Sequence, residues 1–319
     1  MQKEFFEENP LCSALGIKYP VIQGGMAHIA DAQLAAAVSN AGGLGLIAAM
    51  NSNADQLREQ IRLAKELTDK TFGVNLMLMS PFIEEVVDVV CDEKIKVVTT
   101  GAGNPSKYME KLKSAGVKVI CVVASVALAR MVERMGAFAV VAEGCESGGH
   151  VGETTTMALV PQVVDAIGIP VIAAGGIADG RGMAASFMLG AVAVQMGTRF
   201  LTAKECSVHQ NYKDKVIAAK DIDTVVTGKR LGHPVRALKN RMTREFVEKE
   251  QNPETTAEEL EAMGVGALRR AAKEGDVKYG SCMCGQIAGL IKTENTCKEI
   301  VESVCDEAKR LLRGNKVVC

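Results

Sequence analysis

The chain has 319 residues, 48% of them hydrophobic and 24% charged, with a formal net charge of -1. That composition can bury a large core and excludes a disordered chain; with no basic stripe, 4% aromatics and no Trp, it also excludes a protein that tracks phosphates or stacks nucleic-acid bases. No apolar run approaches the ~20 residues of a membrane span, and the acidic N-terminus is unlike a secretory signal, so a soluble cytoplasmic protein is expected, its ten cysteines held as reduced thiols.

The first apolar run, 21–26, ends in Gln23-Gly24-Gly25-Met26. Two successive glycines let backbone N–H groups approach a planar ligand that a Cβ would keep away; a tight strand-to-helix turn uses the same residues. Asp31 caps a predicted helix that stops at Gly42-Gly43, and a second run follows at 44–49. A helix over 54–67 leads to the run 72–78, where Asn75 is an amide in an otherwise apolar strand and needs partners. Helical segments at 81–91 and 105–114 flank the run 97–103. Further runs at 117–123 and 137–143 enclose a helix over 125–135.

The stretch after the sixth run is the richest: Ala142-Glu143-Gly144-Cys145-Glu146-Ser147-Gly148-Gly149-His150-Val151-Gly152. Gly148-Gly149 predicts a mobile loop that comes close to a ligand. His150 is the candidate catalytic residue, since an imidazole exchanges protons near pH 7; a loop histidine satisfied by water is the plainer alternative. Nothing nearby supplies a base for Cys145, which reads as a passive thiol. After a helix over 157–167, the seventh run, 171–177, carries Ala174-Gly175-Gly176. A helix over 180–189 then leads to the eighth, 192–200, with Gln195-Met196-Gly197-Thr198.

Eight runs alternating with helices favour an α/β fold of the (β/α)8 TIM-barrel type over a doubly wound sheet. The loops after the seventh and eighth strands then form a phosphate site, with glycine in both. The barrel is expected to occupy 1–205. A charged helical excursion or lid follows at 206–279, and a C-terminal segment at 280–319 returns to the barrel through a closing helix over 296–313. His28 is expected at the same mouth, while His209 and His233 lie in the excursion. Arg236 and Lys239 are expected on a charged helix face, facing solvent, an acidic partner or a phosphate. Cys282 and Cys284 are two apart, without zinc or redox spacing, and no metal site is expected.

Several stretches together resemble the nitronate monooxygenase superfamily of FMN barrels. They are QGGMA at 23–27, GVN at 73–75, TTGAGNPSKYM at 99–109, the 142–152 stretch, PVIAAGGIADG at 170–180 and QMGTRF at 195–200. Within that superfamily the sequence is most similar to the FMN-type enoyl-acyl-carrier-protein reductases (enoyl-ACP reductase II) of bacterial fatty-acid synthesis. DIDT at 221–224, GH-x-VRA-x-KN at 232–240 and GQIAGL at 285–290 extend the likeness. It implies FMN bordered by Gly24, Gly25 and Met26, contacted by Asn75 and Glu143, and approached by Gly148 and Gly149. It implies a phosphate cradle at Ala174, Gly175, Gly176, Met196, Gly197 and Thr198, Gln286 at the flavin edge, and His150 as the catalytic residue. The activity implied is reduction of an enoyl thioester on acyl carrier protein or coenzyme A by NADH or NADPH, with stimulation by a monovalent cation and a homodimeric assembly. Nitronate oxidation with oxygen is the nearest alternative, and a sugar-phosphate isomerase or lyase the alternative outside redox chemistry. Two departures from the family pattern stand out, His28 where an aromatic residue is usual and Cys284 where a small residue is.

Overall fold

Runs that are apolar at every position form strands covered on both faces. The computed structural model, which describes Phe6, residues 8–50 and residues 52–314, places them so. In chain order its strands are β1 (Val21–Gln23), β2 (Gly45–Ala48), β3 (Phe72–Met77), β4 (Val97–Gly101), β5 (Lys118–Val123) and β6 (Ala139–Glu143), then β7 (Gly149–His150), β8 (Val171–Ala174), β9 (Ala193–Met196), β10 (Thr224–Thr227) and β11 (Val235–Leu238). All except β7, β10 and β11 join one parallel sheet in the order β1-β9-β8-β6-β5-β4-β3-β2. A parallel bridge between Ile22 and Leu44 joins its two edges: Leu44 N–H donates to the Val21 carbonyl and Gln23 N–H to the Leu44 carbonyl, each at 2.9 Å. The fold is the expected (β/α)8 barrel.

The helices are α1 (Pro10–Leu15), α2 (Ala32–Asn40), α3 (Ala54–Leu67), α4 (Ile83–Asp92), α5 (Ser106–Ser114), α6 (Val126–Arg134), α7 (Thr156–Val164) and α8 (Gly180–Met188). After them come α9 (Thr198–Leu201), α10 (Gln210–Ile217), α11 (Arg241–Gln251), α12 (Ala257–Gly264), α13 (Ala267–Glu274) and α14 (Cys297–Leu312), with a 3-10 turn over Gln286–Leu290 before the last. Ile22, Leu44, Leu46, Val97, Ile120, Val141 and Ile172 fill the barrel together with Leu11 and Leu15 of α1. Asn9 caps α1 and donates to the Val192 carbonyl at 2.6 Å, which fixes this helix at the end where β9 begins. The closing helix α14 packs on α8 so tightly that a Cβ on Gly180 would lie 2.5 Å from the Ala308 nitrogen.

The segment 206–279 differs from the expected helical excursion. Besides α10 to α13 it holds the antiparallel hairpin β10–β11, favoured by the β-branched run Thr224-Val225-Val226-Thr227. Strand β11 also pairs with β7, Val235 opposite His150 and Arg236 opposite Gly149. The stretch read as a mobile loop is therefore an arch whose backbone is stitched into a three-stranded sheet.

Candidate active site

The C-terminal ends of the barrel strands surround a cavity of about 290 Å³. Its wall brings together Gly24, Gly25 and Met26 after β1, Asn75 on β3, Glu143 on β6, and Gly148, Gly149 and His150 on the arch. Ala174, Gly175 and Gly176 join them from β8, and Met196, Gly197 and Thr198 from β9. Ser147, Gln195, Leu268, Met283, Gly285 and Ile287 complete much of the lining.

Each glycine has its own reason. A Cβ on Gly25 would lie 2.2 Å from Asn75 Cγ, so the amide and the glycine need each other. Asn75 Nδ2 donates to Thr99 Oγ1 on the next strand at 2.8 Å, which holds the amide across the strand ends. Gly175 and Gly176 adopt positive φ of 91° and 69°, a backbone that side-chain-bearing residues rarely take. Gly148 serves packing: a Cβ there would meet the Cys284 backbone at 2.6 Å. The arch and the C-terminal segment thus touch through the space that glycine leaves. Gly285 N–H donates to Thr198 Oγ1 at 2.9 Å, and Gln286 N–H to the Glu146 carbonyl at 2.9 Å.

The electrostatics follow from enclosure. Glu143 faces the cavity instead of bulk water, and burial pushes its carboxyl up to about 7. Ser147 pulls it partly back without making a hydrogen bond of good geometry. His150 is held below its usual 6.5 by partial burial first and then by the neighbouring His233, although the residue still reaches solvent. Glu146 is used structurally: its carboxylate accepts from the Thr156 N–H at 2.9 Å and from the Thr156 hydroxyl at 2.9 Å, at the first residue of α7.

Three expectations are corrected, and one departure from the family pattern is placed. Gln286 is exposed, and its neighbours Gly285 and Ile287 line the cavity in its place; the 3-10 turn sends its side chain outward. His28 does not line the cavity, although Ala27 and Ile29 on either side do; it takes a left-handed φ of 62° in the turn after β1. Arg236 lies buried on a strand and not on a helix face, and exposed Lys239 reaches the Ile222 carbonyl at 2.7 Å. Cys284 is buried behind the arch, where burial pushes its thiol far up, so it is inert packing and not part of the wall.

Two residues not singled out from sequence emerge as ligand groups. Ser147 Oγ and Gln195 Oε1 are buried without a hydrogen-bond partner among the described residues, which is costly unless a ligand completes them. Together with the Cβ-free cradle, they fit FMN, whose ring offers donors and acceptors and whose phosphate suits glycine loops beside the start of a helix.

A barrel with a glycine cradle after its last two strands and polar groups left open on its floor defines an enzyme built around a phosphorylated cofactor. The nitronate monooxygenase family model matches residues 8–86 and 80–307, and the chain belongs to that family of flavin-dependent oxidoreductases. The fold superposes on FabK from Thermotoga maritima with a TM-score of 0.92 at 53% identity, covering 95% of this chain and 96% of that one. A probable nitronate monooxygenase of Staphylococcus saprophyticus is 36% identical, covering 93% of this chain and 97% of that protein. A hydroxy-methyl-oxo-octahydroindene-carboxyl-CoA dehydrogenase of Rhodococcus jostii is 32% identical, covering 94% and 96%.

Proposed function

We propose that this protein is an FMN-dependent enoyl-ACP reductase, reducing the α,β-double bond of an enoyl thioester with NADH or NADPH. The observation that carries this reading is the likeness to FabK, at 53% identity over 95% of the chain, against 36% for the probable nitronate monooxygenase. The CoA-linked substrate in the name of the Rhodococcus relative favours a thioester in the same type of cavity.

FMN, when bound, supplies two-electron hydride chemistry between the nicotinamide and the β-carbon. Gly175, Gly176, Gly197 and Thr198 would hold its phosphate, and Gly24, Gly25, Asn75, Ser147 and Gln195 its ring. His150 donates a hydrogen bond to the thioester carbonyl oxygen as enolate charge develops there, and a proton from solvent completes the reduction at the α-carbon. The neutral form of the ring, which the lowered pKa favours, keeps an N–H to donate in that role. Glu143 retains a proton on a large share of molecules near neutrality and so presents a donor as well as an acceptor to the ring. The thioester's carrier, acyl carrier protein or coenzyme A, stays outside the cavity.

The test is nicotinamide oxidation by FMN-loaded protein with and without crotonyl-CoA. Consumption that depends on the thioester and yields butyryl-CoA is expected. Oxygen uptake with an alkyl nitronate, without nicotinamide and without thioester reduction, would replace this reading with nitronate oxidation.

A further inference from the structure

Arg236 is a buried cation that forms no ion pair among the described residues. Its residue is 9% exposed, and no salt bridge of the described residues includes it. Its guanidinium closes on one backbone carbonyl: Nε and Nη2 donate to the Cys145 oxygen at 3.1 and 3.0 Å. Nη1 donates to Thr224 Oγ1 on β10 at 3.1 Å. Burying a charge carries a large desolvation cost, and an apolar side chain of similar size would fill such a space more cheaply. What an apolar residue would not supply is a rigid planar fork of donors.

That fork joins the two ends of the arch. Cys145 begins it and Gly149-His150 ends it, and the backbone of Arg236 pairs with Gly149 while the adjacent Val235 pairs with His150. Val151 N–H also donates to the Pro234 carbonyl at 3.0 Å. The arch has other anchors, Thr156 on Glu146, the Thr154 carbonyl on Cys145 N–H and Gln286 N–H on the Glu146 carbonyl, but these hold it to α7, to the loop before α7 and to the C-terminal segment. Arg236 ties its first residue to the hairpin that carries its last. We infer that Arg236 is a positioning residue for His150, setting the imidazole over the cavity by clamping the arch closed on β11. The inference rests on the reading of His150 as the group that meets the substrate.

The test compares Arg236→Lys, alone and combined with His150→Ala, in FMN-loaded protein. Lys keeps the charge but has a single nitrogen and no fork. Expected are a retained flavin spectrum, a melting temperature close to that of the parent, an unchanged KM for nicotinamide and a kcat lower by about 10- to 100-fold, the effect of small misplacement. In the His150→Ala background the same change should cost almost nothing further. The His150 ring-carbon resonance, identified by its loss in His150→Ala, should move in Arg236→Lys. Parental kcat with an unmoved resonance would overturn the inference, and so would a loss that adds in full to that of His150→Ala. If Arg236→Lys does not fold, Arg236→Gln is the second variant, and failure of both would make the residue a purely structural strut. If the parent protein reduces no enoyl thioester, the functional reading fails, and the resonance alone decides whether Arg236 places the ring.

Discussion

The floor and the cover of the cavity are built on different physics. The floor comes from the ends of barrel strands, each placed by its neighbour in a parallel ladder, and its shape is set by absent Cβ atoms at Gly25, Gly175 and Gly176. The cover comes from the arch, α13 and the 280–291 segment, held by a short antiparallel ladder to β11 and by long-range contacts such as Thr198 with Gly285 and Gly148 with Cys284. A floor of this kind suits a resident cofactor, which needs a fixed shape. The cover suits substrates that enter and leave.

That division can be broken by substitution. The largest effect is expected on the cover: His150→Ala should lower kcat by about 10² to 10⁴-fold, the usual worth of a positioned proton or hydrogen-bond donor, while the flavin spectrum stays. A variant with near-parental turnover would remove the histidine from the mechanism. On the floor, Gly25→Ala would drive a Cβ to 2.2 Å from Asn75 Cγ. Overpacking of this type costs about 1–3 kcal/mol, so flavin affinity in a fluorescence titration should fall by roughly 5- to 150-fold.

A smaller, pH-dependent effect belongs to Glu143, whose carboxyl is raised from the usual 4.5 to about 7. The folded state holds a proton that the unfolded state releases. Its contribution to stability is therefore full below about 4.5 and is lost as pH rises through about 7. Melting of cofactor-free protein should show this decline relative to Glu143→Gln, and parallel curves for the two would refute the raised value. The smallest effect is expected for Gln286→Ala: an exposed side chain outside the cavity should change flavin affinity by less than about twofold, as surface substitutions do.

The barrel was readable because its signal is local. Every barrel strand is a mostly apolar run, and the polar residues near its end, such as Asn75 and Glu143, together with residues just past it, such as Gly24 to Met26 after β1 and Gly197-Thr198 after β9, enter the site. Reading the runs long, as 21–26 and 192–200, merged strand with loop but kept the right residues. The cover was less readable, because β7 is two residues long and exists only through β11, far along the chain. Nothing near Gly148 announces that Cys284 will fill its missing side chain. The motif at 285–290 was visible, but which of its residues faces inward depends on the 3-10 turn, so Gln286 was chosen over Gly285 and Ile287. Arg236 reads as a surface charge in the sequence because nothing beside it announces the strand β11 that buries it. Ser147 and Gln195 stood in quoted motifs, but an unmet hydrogen bond shows only when the surroundings are known.

The Thr198–Gly285 hydrogen bond has a consequence for how the molecule is made. Thr198 leaves the ribosome soon after the last barrel strand, and its partner follows 87 residues later. N-terminal parts of a chain fold first during synthesis, so the nascent barrel has a cofactor floor long before it has a roof. Flavin capture can begin on an open bowl, and the arrival of Gly285 at Thr198 is the event that seals it.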